Sequence, residues 1–423
     1  MTIASRLTGT RREDAGVVGL SAGYFFCVLS AYYVIRPIRE EMGVAGGVEN
    51  IPWLFTGTLA AMLLAHPVFA ALVSRWPRRR FVTVTYRFFM ACLVIYYIVL
   101  TALPQGGQAA IWAGRSFFVW TAVFSLFVVS VFWSFMTDIH TERQGRRLFG
   151  LIGVAGTLGA ILGSSITAFL IESLSPATLL WFSIVLLECA VACMRGLDRR
   201  TGGQGRDAAA PPSDEEVIGG SPLDGIRHVL ASRYLLGICV FMLLFTIGST
   251  FLYNIQADIM SRTFVDPAER TSVFARINLA VNALTLVTQL FLTGRIMKRF
   301  GVGLTLAFLP LLSVAGFLAL GAAPVFAVFV VFQVLRRAGN FALAVPAREV
   351  LYTVLPRRDK YKAKNFNDTF VYRAGDQVGA WSFAGFGALG LGTAAMAWSM
   401  APVAVVWLGV ALWLGRKQKG LAA

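Results

Sequence analysis

LTGRIMKRFG (residues 292–301) and LVSRWPRRRF (72–81) decide the architecture. Each closes a long apolar block with a short basic turn and runs into another apolar block. Arg75 and Arg295 stand 220 residues apart, and so do Arg79 and Arg299. A basic turn repeated at a fixed offset marks an internal duplication. The chain around it is 57% hydrophobic and 14% charged over 423 residues. Soluble domains carry about 25% charged residues. The mean hydropathy is +0.68. No polar covering for a soluble core can be drawn from such a composition.

Working outward from the two turns, the apolar residues fall into blocks of about 20, the length that crosses roughly 30 Å of hydrocarbon as helix. Twelve blocks can be counted: 16–36, 51–74, 81–103, 111–136, 149–171, 176–195, 233–258, 272–294, 302–322, 325–347, 365–392 and 396–415. The one long polar stretch, 196–232, contains TGGQGRDAAAPPSDEE and reads as a flexible linker. It separates an N-terminal six-helix bundle (1–195) from a C-terminal one (233–423).

Lysine and arginine gather in alternate loops, which fixes orientation, because cytoplasmic loops of membrane proteins retain positive charge. SRWPRRR, the turn carrying Arg143, Arg146 and Arg147, the linker, the turn with Arg295, Lys298 and Arg299, the cluster Arg357, Arg358, Lys360, Lys362 and Lys364, and the tail Arg416, Lys417 and Lys419 all fall on one side. The intervening loops, such as EEMGVAGGVEN and VDPAER, are acidic or nearly free of basic residues. Both termini and the linker are therefore expected in the cytoplasm. The net charge of +16 is explained by this topology rather than by nucleic-acid binding. The five cysteines all lie inside apolar blocks, so neither a disulfide framework nor a zinc site is expected. The polar start leads into a block too long for a signal sequence, so no cleavable leader is expected.

The expected fold is an all-α polytopic membrane protein with twelve transmembrane helices in two six-helix pseudo-repeats. Two such halves in parallel are the arrangement of major facilitator transporters. The basic turns resemble the Gly-x-x-x-Asp-Arg-x-Gly-Arg-Arg signature of that superfamily, with Ala70, Ser74 and Pro77 in place of the first Gly, the Asp and the second Gly.

Charge at membrane depth costs several kcal/mol unless it is paired or faces water, so each instance is a candidate site. The first block ends SAYYVIRPIREEMG, where Arg36 and Arg39 share a helix face and Glu40 and Glu41 follow. These form either an interfacial cluster or an anion contact at the outer mouth of a cavity. Pro37 can kink the helix there. The tenth block holds Arg336 and Arg337 near its middle, pointing about 100° apart. Glu188 of the sixth block is a candidate counter-charge. The eighth block carries Arg276, Asn278 and Asn282, the asparagines suited either to interhelical hydrogen bonds or to substrate. The seventh ends in a polar group of Tyr253, Asn254, Gln256 and Asp258, suited to gating or coupling. In the eleventh, Asp368 and Asp376 fall on one strip with Arg373 beside it. Buried positive charge exceeds buried negative charge, which favours an anionic solute held by guanidinium forks.

The glycine series GLIGVAGTLGAILG (150–163) lies inside a spanning block with no strand before it, so it reads as close helix packing and not as a nucleotide fingerprint. There is no Walker motif, metal set or hydrolase triad, so the expectation is a non-enzyme without cofactor or metal.

Three segments carry a family resemblance: YYVIRPIREEMG, VFWSFMTDIHTERQGRRLFGLIG and PAREVLYTVLPRRDKYKAKNFNDTFVYRAGDQVGAW. They resemble the nucleotide (ATP/ADP) translocases of plastids and intracellular bacteria, and more closely the shorter free-living bacterial relatives of that family. The resemblance implies roles for Arg36, Arg39 and Glu40 in the first motif, with Arg39 standing for the family's lysine. It implies roles for Glu349, Tyr352, Lys360, Lys362, Lys364, Asp368 and Arg373 in the last. Thr121 stands where the translocases carry an acid.

The expectation is a secondary-active inner-membrane transporter, monomeric, moving an anionic, phosphorylated or nucleotide-like solute by alternating access. Its partners would be that solute and the bilayer. Arg36, Arg39, Tyr253, Arg276, Asn282, Arg336, Arg337 and Arg373 would bind substrate. Glu40, Glu188, Asp258, Glu349, Lys364, Asp368 and Asp376 would couple or gate. Efflux of amphipathic solutes through an aromatic cavity is the alternative, since phenylalanine is abundant (33).

Overall fold

The computed structural model describes residues 12–76, 78–104, 106–140, 142–201, 232–355, 364 and 366–422. Linker residues 202–231, Lys360 and Lys362 lie outside them, as do the side chains of Arg143, Arg146, Arg147 and Asp368.

The described elements are helices. The first half comprises α1 (Arg12–Ala45), α2 (Ile51–Arg75), α3 (Arg78–Ala102), α4 (Gln108–Ile139), α5 (Glu142–Leu170) and α6 (Pro176–Thr201). The second comprises α7 (Arg233–Thr263), α8 (Pro267–Phe291), α9 (Thr293–Ala322), α10 (Phe326–Gly339, continued by Asn340–Ala344 and Val345–Leu351), α11 (Asn367–Val371 and Tyr372–Ala388) and α12 (Thr393–Ala422). Eleven of these spans are long and apolar enough to cross a membrane. The twelfth, α11, joins parts of 5 and 17 residues and runs about 33 Å at 1.5 Å per residue. The chain is a polytopic all-α membrane protein.

The turn at 292–301 is itself helical from Thr293 and pivots on Gly301, whose φ of 73° is a left-handed value that favours glycine. The ninth block thus begins where the sequence places it. The first helix, by contrast, runs past its expected end. Pro37 lies inside α1 rather than ending it, so Arg36, Arg39, Glu40 and Glu41 all ride on one continuous helix.

The packing repeats with the sequence. In the first half α1 packs on α4, α5 and α6, and α3 packs on α4 and α6. In the second, α7 packs on α10, α11 and α12, and α9 packs on α10 and α12. Every pairing recurs six helices later. Small residues permit the closest crossings. A Cβ at Gly159 would strike the Phe26 carbonyl of α1, and one at Gly379 would strike Thr250 and Ile247 of α7. The glycine series is thus a helix-packing surface. Side-chain hydroxyls fasten the same crossings, since lipid cannot satisfy them. Ser30 Oγ donates to Gly159 O at 3.0 Å, Thr167 Oγ1 to Val34 O at 2.8 Å, and Ser183 Oγ to Ala31 O at 2.9 Å.

Two compact units emerge, and they differ from the sequence halves at two short segments. One unit is Met1–Gly46, Gly57–Asp214 and Asp266–Asn282; the other is Gly47–Thr56, Glu215–Val265 and Ala283–Ala423. The start of α8 therefore belongs to the first unit and the start of α2 to the second. Side chains explain both exchanges. Arg270 pairs with Glu41, and Ser272 Oγ donates to Ala168 O at 3.3 Å. Thr56 hydrogen-bonds Gln377 at 3.0 Å, and Trp53 meets the Trp381 ring edge-on at 4.9 Å.

Candidate functional site

Each unit carries its own charged cluster at membrane depth. In the first unit the cluster lies along the last turns of α1. Arg36 Nε donates to Glu40 Oε1 at 3.0 Å, and its Nη1 donates to the Tyr33 hydroxyl at 3.3 Å. The guanidinium lies 5.4 Å from the Tyr33 ring centroid and 5.9 Å from that of Tyr32. Arg39 stacks over Phe118 of α4 at 3.8 Å and donates to the Phe118 carbonyl. Aromatic faces attract guanidinium groups without neutralising them; Arg36 is nonetheless paired with Glu40, whereas the partners of Arg39 are the neutral carbonyl and ring of Phe118.

The second unit holds its cluster between α7, α9, α10 and α11. Arg336 is only 3% exposed. Its Nε donates to Ser313 Oγ at 3.2 Å, and its Nη2 donates to Ser249 Oγ at 3.0 Å and to Phe245 O at 3.3 Å. All three acceptors are neutral, and among the described residues no carboxylate forms an ion pair with it. A buried charge is costly unless paired, and neutral oxygens offset only part of that cost. Nearby on α11, Arg373 Nη1 pairs with Asp376 Oδ2 at 3.1 Å, while Thr250 Oγ1 of α7 donates to the other carboxylate oxygen at 3.0 Å.

Both α10 and α11 depart from α-helical geometry beside these charges. Asn340–Ala344 forms a π turn one turn after Arg336. Pro346 explains it, because a proline cannot donate to the carbonyl four residues back and its ring crowds that carbonyl. A second π turn, Asn367–Val371, leads into Tyr372, Arg373 and Asp376.

Several candidate residues have partners that the sequence did not suggest. Glu188 pairs with Arg87 of α3 at 3.2 Å, both about half exposed, and not with the arginines of α10. Arg276, expected to be buried, is 60% exposed and pairs with Glu172 at 3.1 Å. Asp258 pairs with Arg262 one turn on at 2.7 Å and accepts from Thr393 Oγ1 at 2.5 Å. Lys364 binds Glu349 at 2.6 Å, tying the end of α10 to the start of α11. Tyr253 rests edge-on against Phe55 at 5.5 Å. Arg337 is half-buried on the side of α10 turned from Arg336. Asn282 is buried with its Nδ2 unpaired, and neither polar atom of Asn278 has a partner. Of the two readings open for these asparagines, interhelical hydrogen bonding is not realised by those atoms. Each such group costs about 1–3 kcal/mol when left unmatched.

One pair escaped the sequence reading. Arg270 Nε and Nη2 grip Glu41 in a two-pronged contact at 2.6 and 2.8 Å, with both side chains about nine-tenths buried. Arg270 lies in VDPAER, which reads as an acidic loop, and its partner is 229 residues away. Two arginines and two acids already balance within 36–41, so no local excess of charge pointed to a partner for Glu41 elsewhere in the chain.

With the fold and both clusters defined, the chain can be set beside known proteins. A family model described as Major Facilitator Superfamily matches residues 15–265. Among solved structures, an auto inhibited POT family peptide transporter superposes with a TM-score of 0.62 at 15% identity, covering 94% of this chain and 96% of that one. A D-xylose–proton symporter gives a TM-score of 0.61 at 13% identity, covering 94% and 96%. A duplicated twelve-helix bundle with charge held at membrane depth defines a membrane transporter. The chain belongs to the Major Facilitator Superfamily. Its relatives include ADP,ATP carrier protein 2 of Chlamydia pneumoniae, 23% identical across 93% of this chain and 87% of that one. The plastidic ATP/ADP-transporter of Solanum tuberosum is 22% identical across 92% and 70%.

Proposed function

We propose that this protein is a secondary-active transporter of an anionic, nucleotide-like solute, working by alternating access. The observation that carries the reading is Arg336, a guanidinium buried in the bilayer region with only neutral hydrogen-bond partners among the described residues. Such a group binds an anion without first having to break an ion pair. Arg39, stacked on Phe118, supplies further positive charge in the other unit, and Arg36 lies beside it in its pair with Glu40. Together with Arg373, Arg337, Tyr253, Asn282 and, nearer the surface, Arg276, they form the substrate-binding set. Glu40, Glu188, Asp258, Glu349, Lys364, Asp368 and Asp376 form the set that couples or gates. The relatives named as ADP,ATP carriers support a phosphorylated solute and an exchange mode.

The distribution of lysine and arginine supports an inner-membrane protein with both termini and the linker in the cytoplasm. Two six-helix bundles, 1–195 and 233–423, would be the moving halves, within a functional monomer that engages no nucleic acid.

The test is a thermal-shift screen of purified protein against nucleotides, sugar phosphates, carboxylates and amphipathic drugs, followed by uptake into proteoliposomes. ATP or ADP should raise the melting temperature, and Arg336→Ala should abolish that rise. Stabilisation by drugs alone, or by no anion at all, would reject the reading.

A further inference from the structure

The second unit has an apolar groove between the start of α7 and the end of α12, remote in sequence from the charged clusters. It measures about 450 Å³ and is lined by Arg233, Gly237, Val240, Val406, Gly409 and Trp413 among others. Two glycines shape it. Gly237 admits the Trp413 ring, which a Cβ there would strike, and Gly409 leaves open space, since a Cβ there would meet nothing within 4 Å. From Arg233 to Val240 the groove runs seven residues, or about 10 Å along the helix. Leu236 and Val406, 40% and 58% exposed, give it an apolar opening.

One end of the groove is charged and the remainder is not. Arg233 is exposed, and among the described residues its side chain forms no ion pair or hydrogen bond. Arg416 and Lys417, also exposed, lie one turn beyond Trp413 on α12. The contact of Gly237 with Trp413 brings these residues to the same level as Arg233. Among the described residues of these two helices, no acid balances them. The described α12 contains no Asp or Glu, and the one acid on α7, Asp258, is 25 residues from Arg233. The α7 N-terminus adds the positive end of its dipole. Trp413 stands at the boundary, where tryptophan prefers the headgroup level.

We infer that this groove is a binding site for an anionic phospholipid of the leaflet that faces the basic loops. One acyl chain would lie along Val240, Val406 and Gly409, and the phosphate would sit among Arg233, Arg416 and Lys417. An aqueous anion would leave the apolar groove unfilled, and a zwitterionic lipid would leave the positive charge unbalanced. Basic residues at a membrane surface each favour anionic lipid by about 1 kcal/mol.

Native mass spectrometry of the full chain, purified with matched phosphatidylglycerol and phosphatidylcholine, reads the site directly. The protein should retain phosphatidylglycerol at least about tenfold over phosphatidylcholine. The triple variant Arg233→Ala, Arg416→Ala, Lys417→Ala should bring the two lipids to parity. Gly409→Leu, whose Cβ enters open space, should fill the groove, lower retention of both lipids several-fold and report even if the triple variant does not fold. Equal retention of the two lipids by the unaltered protein overturns the proposal. So does undiminished phosphatidylglycerol in Gly409→Leu, or its displacement by inorganic phosphate alone.

Discussion

The crossing of α1 with α5 and the crossing of α7 with α11 occupy the same place in the two halves. Ser30 and Thr250 stand 220 residues apart, as do Gly159 and Gly379. In both crossings the glycine brings two backbones close, and the hydroxyl bonds to the opposite helix. The hydroxyl of Ser30 ends on a neutral carbonyl, whereas that of Thr250 ends on the buried carboxylate of Asp376. Among the described residues, α1 and α5 are regular, while α10 and α11 each contain a π turn beside charge. The first half instead carries its charge at the end of α1, in Arg36, Arg39, Glu40 and Glu41. Duplication supplied one scaffold, and the two copies placed their charges at different positions along their helices.

Breaking the ion pair at the end of α1 should have the largest effect. Arg270→Ala leaves Glu41 buried without its partner and should cost about 3–5 kcal/mol, read as a fall in melting temperature. The exchanged pair Glu41→Arg with Arg270→Glu should recover most of that loss. If the single variant melts like the unaltered protein, the ion pair does not hold α8 to α1.

Next comes the mid-helix charge of the second half. Arg336→Ala should lower nucleotide uptake into proteoliposomes by about 30-fold or more, with membrane insertion unchanged. Arg373→Ala should act in the same direction. Full transport by both variants would remove the contrast in charge placement from any account of the mechanism.

Smaller effects distinguish the two crossings themselves. Thr250→Val deprives Asp376 of a donor and should cost about 1.5–3 kcal/mol, against about 0.5–1.5 kcal/mol for Ser30→Ala. Equal costs in thermal unfolding would mean that the carboxylate adds nothing to the second crossing. Last, Arg276→Ala breaks a pair that is 60% and 64% exposed and should cost less than about 1 kcal/mol. A larger destabilisation would show that Arg276 works as a buried group.

Helix number and type were legible because lipid imposes a length on every apolar run and leaves the backbone no partner but itself. The glycines of 150–163 were legible for the same reason. Arg336 could be singled out because a charge in mid-block is rare. Its partners Ser249 and Ser313 could not, since serines abound in such helices and only the crossing of α7, α9 and α10 selects these two. Glu188 and Arg276 were misjudged because helical rotation, and hence which side meets the bundle, depends on packing against neighbours.

By itself, then, the sequence determined the membrane-spanning helices and their duplication, which follow from composition along the chain. The excess of positive charge it suggested at depth is not what packing buries, since among the described residues the buried acids are Glu40, Glu41 and Asp376 and the buried arginines Arg270 and Arg336. The tertiary structure decided which acid meets which base: Glu41 with Arg270, Glu188 with Arg87, Asp376 with Thr250 and Arg373, and Arg336 with no carboxylate among the described residues. Such pairings join residues up to 229 positions apart. They are fixed by how closely small residues let the helices approach, a property of pairs of helices that no single stretch of sequence contains.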